Sequence, residues 1–135
     1  MYTLALLSDT LAVCRLEAQA PFPEWAQGEL VALMRSVDEL SVVCTAGAVP
    51  AGVQAEPDWR ALRVQGPLDF SLVGVLAELS NVLADAGVSI FAISTYDTDY
   101  LLVKASTLEK AVRALQAAGH VVERPGAWVD NISIL

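Results

Sequence analysis

The sequence predicts an α+β fold, a two-layer sandwich with helices on one face of a four-stranded sheet. Three observations lead there. Strand-like alternation and helix-like spacing succeed one another in the order βαββαβ between Trp59 and Arg124. Each helical segment carries a single apolar stripe, so each has one face to bury. Four strands give both helices the same face of the sheet to cover, and right-handed crossovers then make the arrangement a split βαβ, or ferredoxin-like, topology.

The elements follow in order. Trp59-Arg-Ala-Leu-Arg-Val-Gln65 alternates apolar and polar residues with the period of a half-buried strand, and Gly66-Pro67 ends it. Leu72, Val75, Leu76, Leu79, Val82, Leu83 and Ala86 recur at three- and four-residue steps, the stripe of an amphipathic helix, with Gly87 at the position after its C-cap. Val88-Ser-Ile-Phe-Ala-Ile-Ser94 reads as a strand, Thr95-Tyr-Asp-Thr-Asp99 as a polar turn, and Tyr100-Leu-Leu-Val-Lys104 as the returning strand. Thr107 is the expected N-cap of a second helix with Leu108, Ala111, Val112 and Leu115 on its inner face. Gly119 ends that helix and His120-Val-Val-Glu123 is the fourth strand.

The first half is rich in strands and poor in helical stripes. Tyr2 to Leu7 and Thr10 to Glu17 read as two strands around Ser8-Asp9. Glu29 to Arg35 and Leu40 to Thr45 form a hairpin around Ser36-Val-Asp-Glu39. Pro21 to Gln27 suits a short helix or a loop, and residues 46–58, with two glycines and two prolines, read as a connecting loop. The expected organisation is two tandem lobes: a degenerate one over 1–58 and a complete one over 59–124. The tail Trp128-Val-Asp-Asn-Ile-Ser-Ile-Leu135 alternates like a strand and is expected to complete the first lobe.

Composition narrows the function. Hydrophobic residues make up 55% of 135 residues, enough for a packed core and more than a typical globular share. Such a surplus predicts apolar surface covered by another copy, in a homodimer or higher homo-oligomer. The longest uncharged stretch, Leu40 to Ala55, is 16 residues long and interrupted by Gly47, Pro50 and Gly52, short of the ~20 apolar residues a spanning helix needs. Asp9 interrupts the opening apolar run and no basic segment precedes it, so no secretory signal is read and a cytoplasmic protein is expected. The net charge is -8, and the eight Lys and Arg are scattered, which argues against a nucleic-acid face.

The residues offer little to an enzyme. His120 is the only histidine, and its position after a helix end suits a partly exposed residue better than a general base. No nucleophile elbow, phosphate loop or zinc-binding helix pattern occurs. Acylphosphatases share the predicted topology, but the loop from Gly66 to Gly74 lacks the Arg they need. Cys14 and Cys44 lie in apolar runs and read as buried thiols, and two Cys with one His match no zinc spacing. No catalytic residue, metal or cofactor is expected.

A binding corner is more plausible. Gly66-Pro-Leu-Asp-Phe-Ser-Leu-Val-Gly74 joins a strand to a helix N-terminus, whose free N–H groups attract a carboxylate or phosphate. Asp69 would accept from an ammonium group or cap the helix, and Gly74 is read within the first helical turn. Ser94-Thr-Tyr-Asp-Thr-Asp-Tyr100 gathers hydroxyls and carboxylates about one turn but lacks the ligand spacing of a calcium loop.

The stretches Phe70-Ser-Leu-Val-Gly74 and Ile93-Ser-Thr-Tyr-Asp-Thr-Asp-Tyr-Leu-Leu-Val-Lys104 resemble the ACT-domain family. They are similar in particular to small stand-alone tandem ACT proteins related to the regulatory region of aspartokinase and to cytosolic arginine sensors. Asp38-Glu-Leu-Ser-Val-Val-Cys44 is similar to the matching hairpin of the first lobe. The resemblance implies an ACT-like fold and an amino acid or similar small effector bound between ACT domains. Carried over, it implies contacts from Asp69, Phe70, Ser71, Leu72, Val73 and Gly74, with Val88, Ser89, Ile90 and Phe91 opposite on a facing domain. The family often places Pro-Gly just before the helix, whereas here Pro67 precedes Leu68-Asp69 and Gly74 falls inside the expected helix. Two functions follow from the resemblance: a non-catalytic amino-acid-binding regulatory module, or an interaction module that keeps the fold without a ligand.

Overall fold

A computed structural model describes residues 1–65 and 74–125. In chain order the strands are β1 (Thr3–Leu6), β2 (Leu11–Leu16), β3 (Ala32–Arg35), β4 (Leu40–Thr45) and β5 (Gln54–Val64). Helix α1 (Val75–Asp85), β6 (Phe91–Ser94), β7 (Asp99–Lys104), α2 (Leu108–Ala117) and β8 (Val121–Glu123) follow. The chain divides into two units, Asp9–Trp59 and Met1–Ser8 with the described residues from Arg60 onward. Strand β5 contributes its first half to one and its second half to the other.

The unit from Arg60 is the ferredoxin-like lobe the periodicity predicts, with one addition. Its strands run in the order β6-β7-β5-β1-β8. Without β1 this is the second-third-first-fourth order of a split βαβ fold. Strand β1 lies between the first and fourth strands, antiparallel to β5 (Leu4 opposite Val64) and parallel to β8 (Thr3 opposite Val121). The first eight residues, expected in the first lobe, therefore belong with the second. Leu4 and Leu6 supply the reason, because both side chains join the core beneath the helices.

Both helices pack on that core through the expected stripes: Val75, Leu79 and Leu83 from α1, and Leu108, Ala111, Val112 and Leu115 from α2. Both end in the same C-terminal motif. Gly87 N–H donates to the Ala84 carbonyl at 2.9 Å and Val88 N–H to Leu83 at 2.9 Å; Gly119 donates to Gln116 at 3.0 Å and His120 to Leu115 at 3.0 Å. These bonds occupy carbonyls that a helix end leaves without partners. They also move a boundary: Val88, Ser89 and Ile90, read as strand, form the turn out of α1, and β6 starts at Phe91. Thr107 occupies the N-cap position of α2, but its hydroxyl donates to the Lys104 carbonyl at 3.1 Å rather than capping the helix.

The unit Asp9–Trp59 repeats the strand order without helices. Its sheet runs β3-β4-β2-β5, again second-third-first-fourth, with every neighbour antiparallel. The two positions where helices would stand hold irregular chain and one short 3-10 turn, Ala46–Ala48. No helix forms between Pro21 and Gln27, where Pro21 and Pro23 remove backbone donors. These connections still cover one face of the sheet: Trp25, Ala26, Val49 and Val53 pack on Cys14, Leu40, Val42 and Cys44.

The fourth strand of this unit is the first half of β5, read from sequence as loop. Its residues from Gln54 to Asp58 are mostly exposed at the end of the strand order, which is why Pro57 is tolerated and no alternation is visible. A register shift in its pairing with β2 falls where Asp58 takes a φ of 68°. The tail 128–135, expected to complete this lobe, lies outside the described residues.

Candidate functional site

The predicted binding corner begins where β5 ends. The peptide group joining Val64 to Gln65 is held on both sides: Gln65 N–H donates to the Thr3 carbonyl of β1 at 2.8 Å, and the Val64 carbonyl accepts from the Thr98 hydroxyl at 2.6 Å. Thr98 is 5% exposed, a buried polar residue satisfied by that bond. It belongs to the β6–β7 turn, whose ends are tied by Thr95 N–H to the Thr98 carbonyl at 2.8 Å, Thr98 N–H to Thr95 Oγ1 at 3.2 Å, and Ser94 Oγ to Asp99 Oδ1 at 2.6 Å. Tyr96 at its tip is 80% exposed. The hydroxyl-rich run is thus a hydrogen-bonded turn, and the structure sets it beside the exit of β5.

Beyond residues 66–73 the described chain resumes at Gly74. This residue is the N-cap of α1, not part of its first turn, and has a φ of 87°, a left-handed conformation that favours glycine. As a glycine, the N-cap residue brings no capping side chain, and the first bond of α1 runs from Glu78 N–H to the Gly74 carbonyl at 2.8 Å. A side chain at position 74 would meet open space. Asp69, Phe70, Ser71, Leu72 and Val73 lie outside the described residues.

The other predicted contacts sit past the far end of α1. Val88 is 5% exposed and belongs to the core, Ser89 is exposed, and Ile90 and Phe91 are half-buried. The 11 residues of α1 separate Gly74 from Val88 by ~16 Å of helix rise. Within one lobe, Gly74 therefore stands apart from Val88. Strand β6 is the last in its sheet, pairing with β7 alone among the described residues. The bond from Thr95 to Thr98 sets the alternation of that ladder, so Ala92 turns its backbone N–H and C=O away from β7, toward the open edge.

His120 departs from expectation. It is 5% exposed, not partly exposed, and stacks on Tyr2 with ring centroids 5.7 Å apart. Its Nδ1 accepts the Tyr2 N–H at 3.0 Å, which leaves the ring proton of the neutral form on Nε2, 3.5 Å from Glu78 Oε2. The histidine anchors the chain's start against the beginning of β8. Proximity in space to Tyr2 and α1, invisible in linear order, accounts for the difference.

Cys14 and Cys44 are buried and free. Burial pushes the Cys14 thiol up to about 11, with Cys44 beside it adding to the shift, and burial also raises Cys44. Neither is poised as a nucleophile. Among the described residues no three His, Cys, Asp or Glu side chains converge as metal ligands, and no helix is long and apolar enough to cross a membrane.

Comparison with known proteins bears on the family and the fold. The sequence model of the ACT domain matches residues 54–117, and the N-terminal domain model of a second family matches residues 9–52. A crystal structure of a protein from Agrobacterium tumefaciens is 35% identical with a TM-score of 0.86, covering 91% of this chain and 92% of that one. Residues 54–117 are an ACT domain. Subunit 1 of the cytosolic arginine sensor for mTORC1, from Homo sapiens, is 36% identical to this ACT protein over 59 residues. That match covers 43% of the chain, which spans only 18% of the curated relative. The ligand-free regulatory subunit of aspartate kinase from Thermus thermophilus shares the fold with a TM-score of 0.59 at 16% identity, over 86% of this chain and 97% of that one.

Proposed function

We propose that this protein is a non-catalytic regulatory module that binds an amino acid between two ACT domains, with the second domain supplied by another copy. The observation that carries the proposal is the separation of the predicted contacts. Gly74 stands at one end of α1 and Val88 to Phe91 past the other, so residues 69–74 of one domain would meet residues 88–91 of another. The edge position of β6 supports the same reading, because among the described residues no strand pairs with the outward backbone donor and acceptor of Ala92. The N–H groups at the start of α1 suit the carboxylate of a zwitterion, and Asp69 and Ser71 would offer acceptors for its ammonium group. The net charge of -8 and the arginine-sensor relative favour a cationic amino acid, and that relative's cytosolic description favours the cytoplasm.

Thermal denaturation with each of the twenty amino acids tests this directly. A ligand at 100 times its dissociation constant adds about 2.7 kcal/mol of stability. A rise in melting temperature is expected with arginine or another basic amino acid, together with a dimeric or larger species in light scattering. No shift with any amino acid would remove the sensor reading. The alternative, an ACT module that captures a protein partner without ligand, draws on Leu33 and Met34 of β3 and on nearby Val31 and Val37, all exposed apolar residues.

A further inference from the structure

We infer that Thr98 is a positioning residue for the binding corner, setting the direction in which β5 leaves its sheet; its effect on affinity rests on the amino-acid-binding reading. Val64 pairs with Leu4 of β1 on one side, and its carbonyl faces the other way, toward the β7 side. The Thr98 side chain, one residue before β7, supplies a donor there. A buried carbonyl without a donor is unfavourable, and here a hydroxyl donates to it at 2.6 Å. The same peptide group carries the Gln65 N–H, bound at 2.8 Å to the Thr3 carbonyl. Two bonds on opposite sides of one peptide plane fix its tilt, and with it the direction in which β5 ends at Gln65.

The turn is built to hold that hydroxyl in place. Thr95 ties to Thr98 through both its backbone N–H and its side chain, and Ser94 ties to Asp99. Solvent-facing Tyr96 and Asp97 lie between the ties. Thr98 therefore acts through Val64 and Gln65, without touching ligand.

The test uses the full chain with Thr98→Val, which keeps the shape and removes the hydroxyl, and Thr98→Ser, which keeps the hydroxyl. Thr98→Ala serves as a second hydroxyl-free variant should the valine fail to fold. In ligand-free protein, amide exchange at Gln65 is expected to accelerate roughly tenfold in the hydroxyl-free variant, the size of one lost hydrogen bond, and to return to the wild-type rate in Thr98→Ser. Calorimetric titration with L-arginine is expected to show affinity weakened by a similar factor and restored by serine. Wild-type exchange at Gln65 in a hydroxyl-free variant overturns the inference whatever the ligand result. Equal acceleration at Leu62 and Leu101 also overturns it, because the role would then be general stability. Where wild-type protein binds arginine, unchanged affinity in the hydroxyl-free variant overturns it too. If wild-type protein binds none of the twenty amino acids while Gln65 exchange still responds and serine restores it, the anchor stands and the ligand reading alone fails.

Discussion

The two lobes share a strand order and differ in what covers the sheet. In the second lobe, α1 and α2 lay apolar stripes on a continuous core. In the first, irregular chain does the covering with single residues, Trp25, Val49 and Val53. The pattern of strands is therefore separable from the helices that usually accompany it. A helix needs an uninterrupted stripe; Pro21, Pro23 and Gly28 deny one to the first crossover, and Gly47, Pro50 and Gly52 deny one to the second. Any apolar cover is enough to keep a sheet face dry.

That contrast breaks if the two coverings turn out equally stabilising. Leu79→Ala in α1 removes a fully buried side chain from the helical lobe and is expected to cost about 2–5 kcal/mol in denaturant unfolding. Trp25→Ala in the first lobe removes a half-buried ring, and its loss is expected to be roughly half as large or less. A tryptophan loss matching that of Leu79 would show the loop cover to be as tightly packed as a helix.

A smaller effect sharpens the view of the helix-free lobe. Gly28 has a φ of 138°, and a Cβ built there would fall 2.0 Å from Thr45 Oγ1. Gly28→Ala is expected to destabilise by about 1–3 kcal/mol, because loop and strand must separate. Insensitivity at this position would mean that residues 17–31 ride loosely on the sheet.

The smallest effect is electrostatic. Asp9 accepts from the Thr45 hydroxyl at 2.7 Å and from Glu29 N–H at 3.1 Å, and these bonds, the hydroxyl first, hold its carboxyl below the ordinary 3.8. A depressed folded-state value means the stabilisation is present above pH 3.8 and lost as pH falls through the folded-state value. Asp9→Asn is expected to flatten the pH dependence of stability below about pH 4. An unchanged acid limb would show that the loop does not depend on the charge.

Reading along the chain located α1 and α2 because a helix stripe repeats within one segment. It misplaced the start of β6, since Val88 is apolar for a different reason: it packs on the core as it closes the end of α1. It passed over the first half of β5, an exposed stretch without alternation. At the site, the succession of β5 and α1 was legible, while the bond of Thr98 was not, because its partner Val64 is 34 residues away.

Local periodicity, glycine after each helix and the scarcity of catalytic side chains were enough to specify the ferredoxin-like lobe and to favour binding over chemistry. Long-range pairing supplied the rest: β1 between β5 and β8, His120 buried against Tyr2, and Thr98 on the last carbonyl of β5. Hydrophobic spacing records which face of a segment is buried. It carries no label for the distant strand or hydroxyl that completes a hydrogen bond, and those partners are chosen only when the sheet closes.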